Sequence, residues 1–277
     1  MLNVIQNTIG GNKVNSSTFE GFLNKFSGAV LGLSTMHLDS DYSGYCIEVR
    51  RSSDSTPLDI GFVNNVLDTA ALLTFAGGGD AFVSKWYYQN GSGLVASQSF
   101  ASKQPKIVDA GSIISENGVP ALEFDGVDDQ LDITPIDVGS VSFLSMIYKS
   151  VRSSADDYVL YGDSGRTRFR LFDSEIKIYI NSAQYAYAAT DGWDNQYLYQ
   201  LQATSSLSLS VYRNDTQIGT AQTIPSGDNM IIGSIGYGLT IRATDGLMQE
   251  VILYDTDQSS NRADMAIDIN SRFNIYN

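Results

Sequence analysis

The chain of 277 residues contains a single cysteine and a single histidine. Cys46 has no partner within the chain, so an intrachain disulfide and a zinc site built from cysteines are both excluded. We expect Cys46 to be a buried, unreactive thiol in a strand. His37 has no nucleophile motif near it, and we expect it at a helix end or on the surface rather than in a catalytic triad.

Charged residues are also few, at 17%, and the net charge is −14. The basic residues form no cluster larger than Arg50-Arg51, and a phosphate backbone requires a basic groove, so no nucleic-acid partner is expected. The chain has no apolar run of 18 residues, and no membrane-spanning helix or membrane partner is predicted. Its first residues lack a basic segment followed by an apolar run, which predicts no secretory signal.

What the chain does contain is a series of short segments that alternate apolar and polar residues between turn residues. This period of two predicts strands, and many short strands without a long helix are typical of an all-β sandwich. After residue 140 the predicted strands are 141–148, 158–161, 168–172, 175–180, 197–201, 207–212, 229–233 and 248–254.

Three short helices are predicted beside the strands. Residues 68–76 are one, with Asp68 as the N-cap and Gly77-Gly78-Gly79 as the end. The C-terminal tail is another, with Ser259 or Ser260 as the cap and Phe273-Asn274 as the end.

The third helix belongs to a polar N-terminal arm. Ser17 and Glu20 resemble a capping box, and the apolar residues after it recur at helical spacing. This segment either closes one end of the sandwich or docks on a partner, so the predicted organisation is an arm at 1–28 and a β-sandwich at 29–277. The assembly candidates are Phe19, Phe22, Leu23 and Phe26.

Residues 123–133 predict a hairpin, because Asp125-Gly126 is a strong signal for a tight turn between alternating segments. Four aspartates crowd this stretch, and two interpretations remain open. Asx-type bonds to backbone amides explain them as a structural turn. Alternatively, Asp125, Asp128 and Asp129 form a calcium site, since hard cations prefer oxygen ligands. No other cofactor is predicted.

Aromatic residues are plentiful and support two further interpretations. Aromatic rings stack on sugar rings, while neighbouring Asp and Asn bind hydroxyls, so a carbohydrate-binding surface is one hypothesis. Core filling or subunit contacts are the other. The carbohydrate-binding candidates are Trp86, Tyr88, Tyr185, Tyr187, Trp193, Asp194 and Tyr237.

The stretch Gly118-Val-Pro-Ala-Leu-Glu-Phe-Asp-Gly-Val-Asp-Asp129 resembles the entry to concanavalin A-like, laminin-G-like jelly rolls of phage and bacterial surface proteins. From Tyr42 onward, the order of motifs is similar to arabinofuranosidase B-type glycoside hydrolases, and the resemblance extends over residues 35–277. It implies a concanavalin A-like jelly-roll β-sandwich, a fold that does not by itself specify a function.

The enzyme family also implies two catalytic carboxylates, which a retaining glycosidase needs about 5 to 5.5 Å apart. Where the resemblance places the nucleophile Glu, this chain has Ser145, and where it places the second carboxylate, this chain has Tyr237. The vicinal cysteine pair of the family is missing as well. We therefore expect no glycosidase activity.

Together these observations predict a non-enzymatic structural protein of a phage virion: a capsid decoration, head-fibre or tail-associated protein made in the host cytoplasm. Its expected partners are other virion proteins, further copies of itself as a homo-oligomer, and a cell-surface glycan. Two alternatives stay open, an arabinofuranosidase-type glycoside hydrolase and a bacterial cell-surface lectin.

Overall fold

The computed structural model describes residues 19–152, 155–162, 167–181, 183–190, 192–236 and 243–277. Residues 1–18 of the predicted arm, with the Ser17 cap, and Tyr237 therefore lie outside the described residues. Within the described residues the helices are α1 (Phe22–Lys25), α2 (Thr69–Ala76) and α3 (Arg262–Phe273), with a 3₁₀ turn at Ala101–Lys103.

The first thirteen strands are β1 (Leu31–Ser34), β2 (Ile47–Arg51), β3 (Pro57–Ile60), β4 (Phe62–Val63), β5 (Val66–Leu67), β6 (Ala81–Tyr87), β7 (Val95–Ser97), β8 (Lys106–Asp109), β9 (Ser112–Ile113), β10 (Ser115–Glu116), β11 (Val119–Pro120), β12 (Leu122–Asp125) and β13 (Gln130–Asp137). The remaining strands are β14 (Ser142–Ser150), β15 (Ala155–Tyr161), β16 (Arg168–Asp173), β17 (Glu175–Ile180), β18 (Ala183–Ala188), β19 (Tyr197–Ala203), β20 (Ser208–Arg213), β21 (Thr216–Thr223), β22 (Ile231–Gly236) and β23 (Asp245–Tyr254).

The long strands form two antiparallel layers. One layer runs in the order β18-β17-β16-β15-β22-β13-β7-β6-β2-β3. The other runs β21-β20-β19-β14-β23-β1. β12 pairs with β23, and β8 pairs with β6, so the contact of β12 with β8 joins the layers along one side. The predicted all-β jelly-roll sandwich is confirmed.

The apolar and polar residues that alternate in the sequence lie on opposite faces of a strand, so that one face is buried and the other is partly exposed. In β17 the isoleucines at 176, 178 and 180 face the core, while the residues between them are half-exposed, as expected of a sheet with one wet face. β14 and β19 are instead buried almost throughout. The second layer is covered on its outer face by α3, whose buried residues include Met265, Ile269 and Phe273.

The N-terminal helix is part of this covered face. α1 begins at Phe22, with Gly21 at the N-cap, so the helix predicted to start from a Ser17 cap is wrong. Phe22 and Leu23 are buried in one cluster with Phe273. An assembly role for these two side chains is therefore wrong, because their apolar surface is already used within the chain. The boundary at residue 28 stays a prediction.

Two other assembly candidates occupy different positions. Phe26 is half-buried against the same cluster. Phe19 is half-exposed and stacks on His37, with ring centroids 5.3 Å apart, and His37 stacks in turn on Phe62 at 4.6 Å. His37 is thus held in an aromatic stack, and a role of Phe19 or Phe26 in assembly stays a prediction.

The predicted hairpin at 123–133 is wrong in its pairing, although both strands form. β12 pairs with β23 and β8, whereas β13 pairs with β22 and β7. The Asp125-Gly126 turn therefore carries the chain from one layer to the other. Gly126 has a φ of 74°, and an added Cβ would lie 2.7 Å from the Asp245 carboxyl carbon, so both conformation and space require glycine here.

The other helix predictions can be checked at their ends. The Asp68 carboxylate accepts a hydrogen bond from the Ala71 amide at 3.0 Å, which confirms it as the N-cap of α2. α3 begins after Asn261 rather than Ser259 or Ser260, and it ends at Asn274 in the left-handed conformation, as predicted.

Cys46 is fully buried, as expected, and burial raises the pKa of its thiol. Over the residues described, the longest helix has 12 residues, too short to cross a bilayer.

Candidate functional site

The turn between β12 and β13 opens onto a cavity of about 490 Å³, which we call the acidic cavity. The residues that line it come mainly from β6, β8, β12, the 3₁₀ turn and the start of β23. The lining residues are Phe82, Ala101, Ser102, Gln104, Lys106, Glu123, Phe124, Asp125, Asp129 and Asp245.

Asp125 shapes the turn beside this cavity. Its Oδ1 accepts hydrogen bonds from the Val127 amide at 2.8 Å and from the Asp128 amide at 3.2 Å. These are the Asx-type bonds expected when an aspartate begins a turn. The structural interpretation of Asp125 is thus supported by two backbone contacts.

Asp129 is the buried member of the cluster, with 5% of its surface exposed. Its Oδ2 accepts a hydrogen bond from the Asp125 amide at 3.0 Å. Desolvation, followed by the nearby Asp125 carboxylate, raises the pKa of Asp129 to about 7. Desolvation also raises the pKa of Glu123. The cavity therefore holds carboxyl groups that are costly to ionise.

The three aspartates that the sequence proposed as calcium ligands do come together. One carboxylate oxygen each from Asp125, Asp128 and Asp129 lies within 4.8 Å of the others. This is an oxygen donor set of the kind that calcium accepts. The same oxygens also serve the turn, since the Asp125 and Asp129 carboxylates accept the amide bonds described above. Asp132 lies outside the group, exposed on β13 and bonded to Gln130.

Lys106 and Arg152, the cations beside the acidic cavity, already have carboxylate partners. The Lys106 ammonium is 2.8 Å from Asp109 and 3.5 Å from Asp80. Arg152 donates to Asp245 at 3.0 Å and to the Gly126 carbonyl at 3.2 Å. Among the residues described, no lysine or arginine forms an ion pair with Glu123 or Asp129.

A second cavity of about 340 Å³ adjoins the first, and Gln104 lines both. We call it the polar groove. Its lining residues are Glu48, Arg50, Ser55, Pro57, Ser84, Lys85, Ser97, Gln98, Ser99 and Gln104.

The polar groove is organised by a network of side chains. Arg50 Nε donates to Gln104 Oε1 at 2.7 Å, and Gln104 Nε2 donates to the Gln98 carbonyl at 2.8 Å. Lys85 donates to Glu48 at 2.7 Å. The planar Arg50 and Gln104 groups are therefore held in fixed positions between the two cavities.

Phe100 lies in the segment between residues that line the two cavities, and 67% of its surface is exposed. No other residue among the exposed large hydrophobic side chains of the described chain is exposed to this extent. An apolar ring left in water, on a segment whose adjacent residues line two polar cavities, is a candidate stacking platform for a ligand ring. Sequence reasoning missed it, because an isolated Phe in the stretch Ser-Phe-Ala carries no pattern.

The aromatic residues that the sequence singled out lie elsewhere. Each is at most 7% exposed and contributes to the core between the layers, so their predicted role in sugar stacking is wrong: Trp86, Tyr88, Tyr185, Tyr187 and Trp193. In β18, Tyr185 and Tyr187 occupy the alternating positions that face inward, where an apolar ring is most stabilising. Asp194 is exposed, and its binding role stays a prediction.

Ser145, the position that the enzyme resemblance assigns to a nucleophile, faces the helix-covered side of the second layer. It is 1% exposed and lies between Phe143 and Ile147, which pack in the cluster under α3. Its partner on β19, Gln200, contacts the first residue of α3, with 3.4 Å between Gln200 Nε2 and the Arg262 carbonyl. A sugar cannot reach this position without displacing α3.

Comparison with family models and with curated proteins gives no match. Among solved structures, a mutant GH54 α-L-arabinofuranosidase soaked with 4-nitrophenyl α-L-arabinofuranoside is similar, with TM-score 0.66 and 14% identity. An arabinofuranosidase complexed with arabinofuranosyl-α-1,2-xylobiose has TM-score 0.59 and 14% identity. Each match covers 86% of this chain and 62% of the other, so the chain spans less than two thirds of these enzymes. At this identity the chain shares the β-sandwich fold of these arabinofuranosidases.

Proposed function

We propose that the chain is a non-enzymatic glycan-binding module that acts as an adhesive protein of a phage particle. The observation that carries this proposal is the exposed Phe100 ring, on the chain segment that joins residues lining the polar groove to residues lining the acidic cavity. Sugar-binding sites combine an aromatic face for the apolar side of the ring with fixed polar groups for its hydroxyls. Both elements are present at this surface.

The polar groups suit hydroxyls rather than charged groups. Gln104 and Arg50 hold one another in place, so little side-chain entropy is lost when a ligand bonds to them. The carboxyl groups of Glu123 and Asp129 exchange hydrogen bonds with sugar hydroxyls, and an anionic sugar would add to the cost of ionising groups whose pKa values are already raised. The ligand class supported by this surface is a neutral or amine-bearing glycan.

The fold adds support of a coarser kind. Of the two solved arabinofuranosidases with which this chain shares its sandwich, one was soaked with an arabinofuranoside and the other is complexed with an arabinofuranosyl xylobiose. Ser145 lies buried under α3, which favours a module without the catalytic carboxylate of those enzymes. Incubation with aryl arabinofuranosides should give no turnover, and turnover that one carboxylate mutation abolishes would contradict a non-enzymatic function.

The glycan proposal is tested on an immobilised panel of neutral, amine-bearing and anionic oligosaccharides. We expect binding to members of the first two classes, and we expect Phe100→Ala to weaken it at least about tenfold, since stacking together with burial of the ring contributes roughly 1.4 kcal/mol or more. Ile267→Ala is the matched control, because Ile267 is 63% exposed on α3, away from both cavities. Equal losses in both variants, or binding to anionic glycans alone, would overturn the proposal.

The virion location is tested separately. Proteomics of purified phage particles, compared with the supernatant of the same lysed culture, should show the chain enriched in the particle fraction. Recovery only in the supernatant would favour the alternative of a secreted or cell-surface lectin.

A further inference from the structure

Some described strands pair on one side only and therefore present unpaired backbone groups at an edge. Such edges join other strands unless they are short, covered, charged or interrupted by proline. Three of them are protected in these ways. β1 is buried at all four residues, β9 has two residues, and β3 carries Pro57 and Asp59.

The other two edges, β18 and β21, lie side by side where the two layers end. Gln222 Nε2 of β21 donates to the Ala186 carbonyl of β18 at 3.0 Å. Neither strand contains an Asp, Glu, Lys or Arg, in a chain whose net charge is −14. We call this surface the neutral flank, defined by Ala183–Ala188 and Thr216–Thr223.

The two strands of the neutral flank differ in regularity. β21 shifts register between Ile218 and Gln222, and a bulge of this kind hinders further pairing. β18 pairs with β17 in unbroken register over all six residues. Its edge is thus a described edge without a charge, a proline or a register shift, and the Gln222 side chain bonds to one of its outward carbonyls, so this side chain must move aside when another strand pairs there.

The direction of the free backbone groups follows from the Gln222 contact. Because the Ala186 carbonyl accepts this bond, it points away from β17, and backbone direction alternates along a strand. Gln184 and Ala188 therefore also direct their N–H and C=O groups outward. Tyr185 and Tyr187 are buried, so their side chains face the core.

We infer that the neutral flank is the contact between two copies of this chain, with their β18 strands paired antiparallel about a two-fold axis. Ala186 of each copy then lies opposite its equivalent, and Gln184 lies opposite Ala188. The pairing continues one layer of the sandwich across both molecules. It is independent of glycan binding, although it would place two binding surfaces on one assembly and raise avidity.

The distribution of charge favours a second copy of this chain as the partner that binds the neutral flank. Two molecules of net charge −14 repel one another wherever acidic surfaces meet. On the neutral flank this repulsion is smallest, and a strand that pairs antiparallel with itself needs no second sequence. A basic partner would instead be drawn to the acidic surfaces.

The test is sedimentation velocity of the full chain over a wide range of concentration, with two variants. Ala186→Pro removes one outward N–H, at the kind of edge position where proline is tolerated. Ala186→Glu places two like charges opposite each other. We expect a reversible dimer in the wild type and at least about tenfold weaker association in both variants. Leu58→Glu on the β3 edge, the control, should associate like the wild type.

Thermal melting shows whether each variant is folded. If Ala186→Pro does not fold, the decision rests on Ala186→Glu and on amide exchange of the wild type, where protection at 184, 186 and 188 should rise with concentration. A wild type that is monomeric at every concentration, or a dimer that neither variant weakens, overturns the inference. Exchange at these amides that is independent of concentration overturns it as well.

Discussion

Two buried carboxylates, one under α3 and one in the turn between β12 and β13, have different surroundings. Glu250, under α3, is 1% exposed and receives two bonds from Arg272, at 2.7 and 3.0 Å, and one from Ser34 at 2.8 Å. Asp129, beside the acidic cavity, is 5% exposed and accepts one backbone amide bond, with no ion pair to a described residue.

This difference separates a structural site from a functional candidate. A buried carboxylate that is fully paired locks α3 onto the sheet and offers nothing to a ligand. A buried carboxylate without a cation carries a desolvation cost that a ligand can relieve, and groups of this kind cluster at binding sites. The fold thus closes the face where the enzyme resemblance places a nucleophile, and it leaves the acidic cavity open.

The largest effect is expected when the ion pair between Arg272 and Glu250 is removed. Arg272→Met leaves the Glu250 charge buried without its partner, so the free energy of unfolding should fall by about 3 to 5 kcal/mol in urea denaturation. Lys25→Met is the matched control. It removes a more exposed partner of Asp268, a residue that Arg272 also contacts, and should cost less than about 1 kcal/mol. Similar losses of unfolding free energy in the two variants would contradict the conclusion that the Arg272–Glu250 ion pair holds α3 on the sheet.

The next effect concerns Asp129, which has no ion pair with a described residue. Here the substitution should raise the free energy of unfolding rather than lower it. Because the folded-state pKa of Asp129 is raised to about 7, its contribution to stability is lost as pH rises from about 4 through 7. Asp129→Asn should remove this loss and raise the free energy of unfolding at pH 8 by up to about 4 kcal/mol. It keeps an oxygen to accept the Asp125 amide bond.

This variant is measured by urea denaturation at several pH values. Asp132→Asn removes the same formal charge from an exposed position and serves as the control. Asp157, which is buried and whose pKa desolvation raises to about 6, supplies pH dependence that should remain in both variants. A variant that is less stable than the wild type at pH 8 would contradict an unfavourable Asp129 charge.

The smallest stability effect concerns the turn. Asp125→Ala leaves the Val127 and Asp128 amides without their acceptor, so the free energy of unfolding should fall by about 1 to 2 kcal/mol. Asp125→Asn, which keeps an acceptor, should lose less. A chelator should change the melting temperature little. A drop of many degrees on chelation, restored by added calcium, would instead assign the three aspartates to a metal site.

Much of the fold could be predicted from sequence, because alternation and turn residues act locally. The strand at 175–180 is found as predicted, and Asp68 caps α2. The pairing of β12 could not be predicted, because Asp-Gly specifies a tight turn but not which strands lie beside it. The partners of β12 are distant in sequence, up to residue 248.

The candidate site was only partly predictable. The aspartate cluster is local in sequence, so its three members could be predicted to meet. Whether a ring faces the core or solvent depends on strand register, and that is why buried Trp86 was chosen and exposed Phe100 was missed. The burial of Ser145 also depends on α3, which packs there from more than 100 residues later in the chain.

The most direct test of the account compares Phe100→Ala with Ser145→Ala, titrated calorimetrically with the oligosaccharide that the wild type binds most tightly on the panel. The account predicts that Phe100→Ala weakens binding at least about tenfold, whereas Ser145→Ala binds like the wild type. Loss of binding in Ser145→Ala, with Phe100→Ala unaffected, would place the glycan on the helix-covered face and contradict the account.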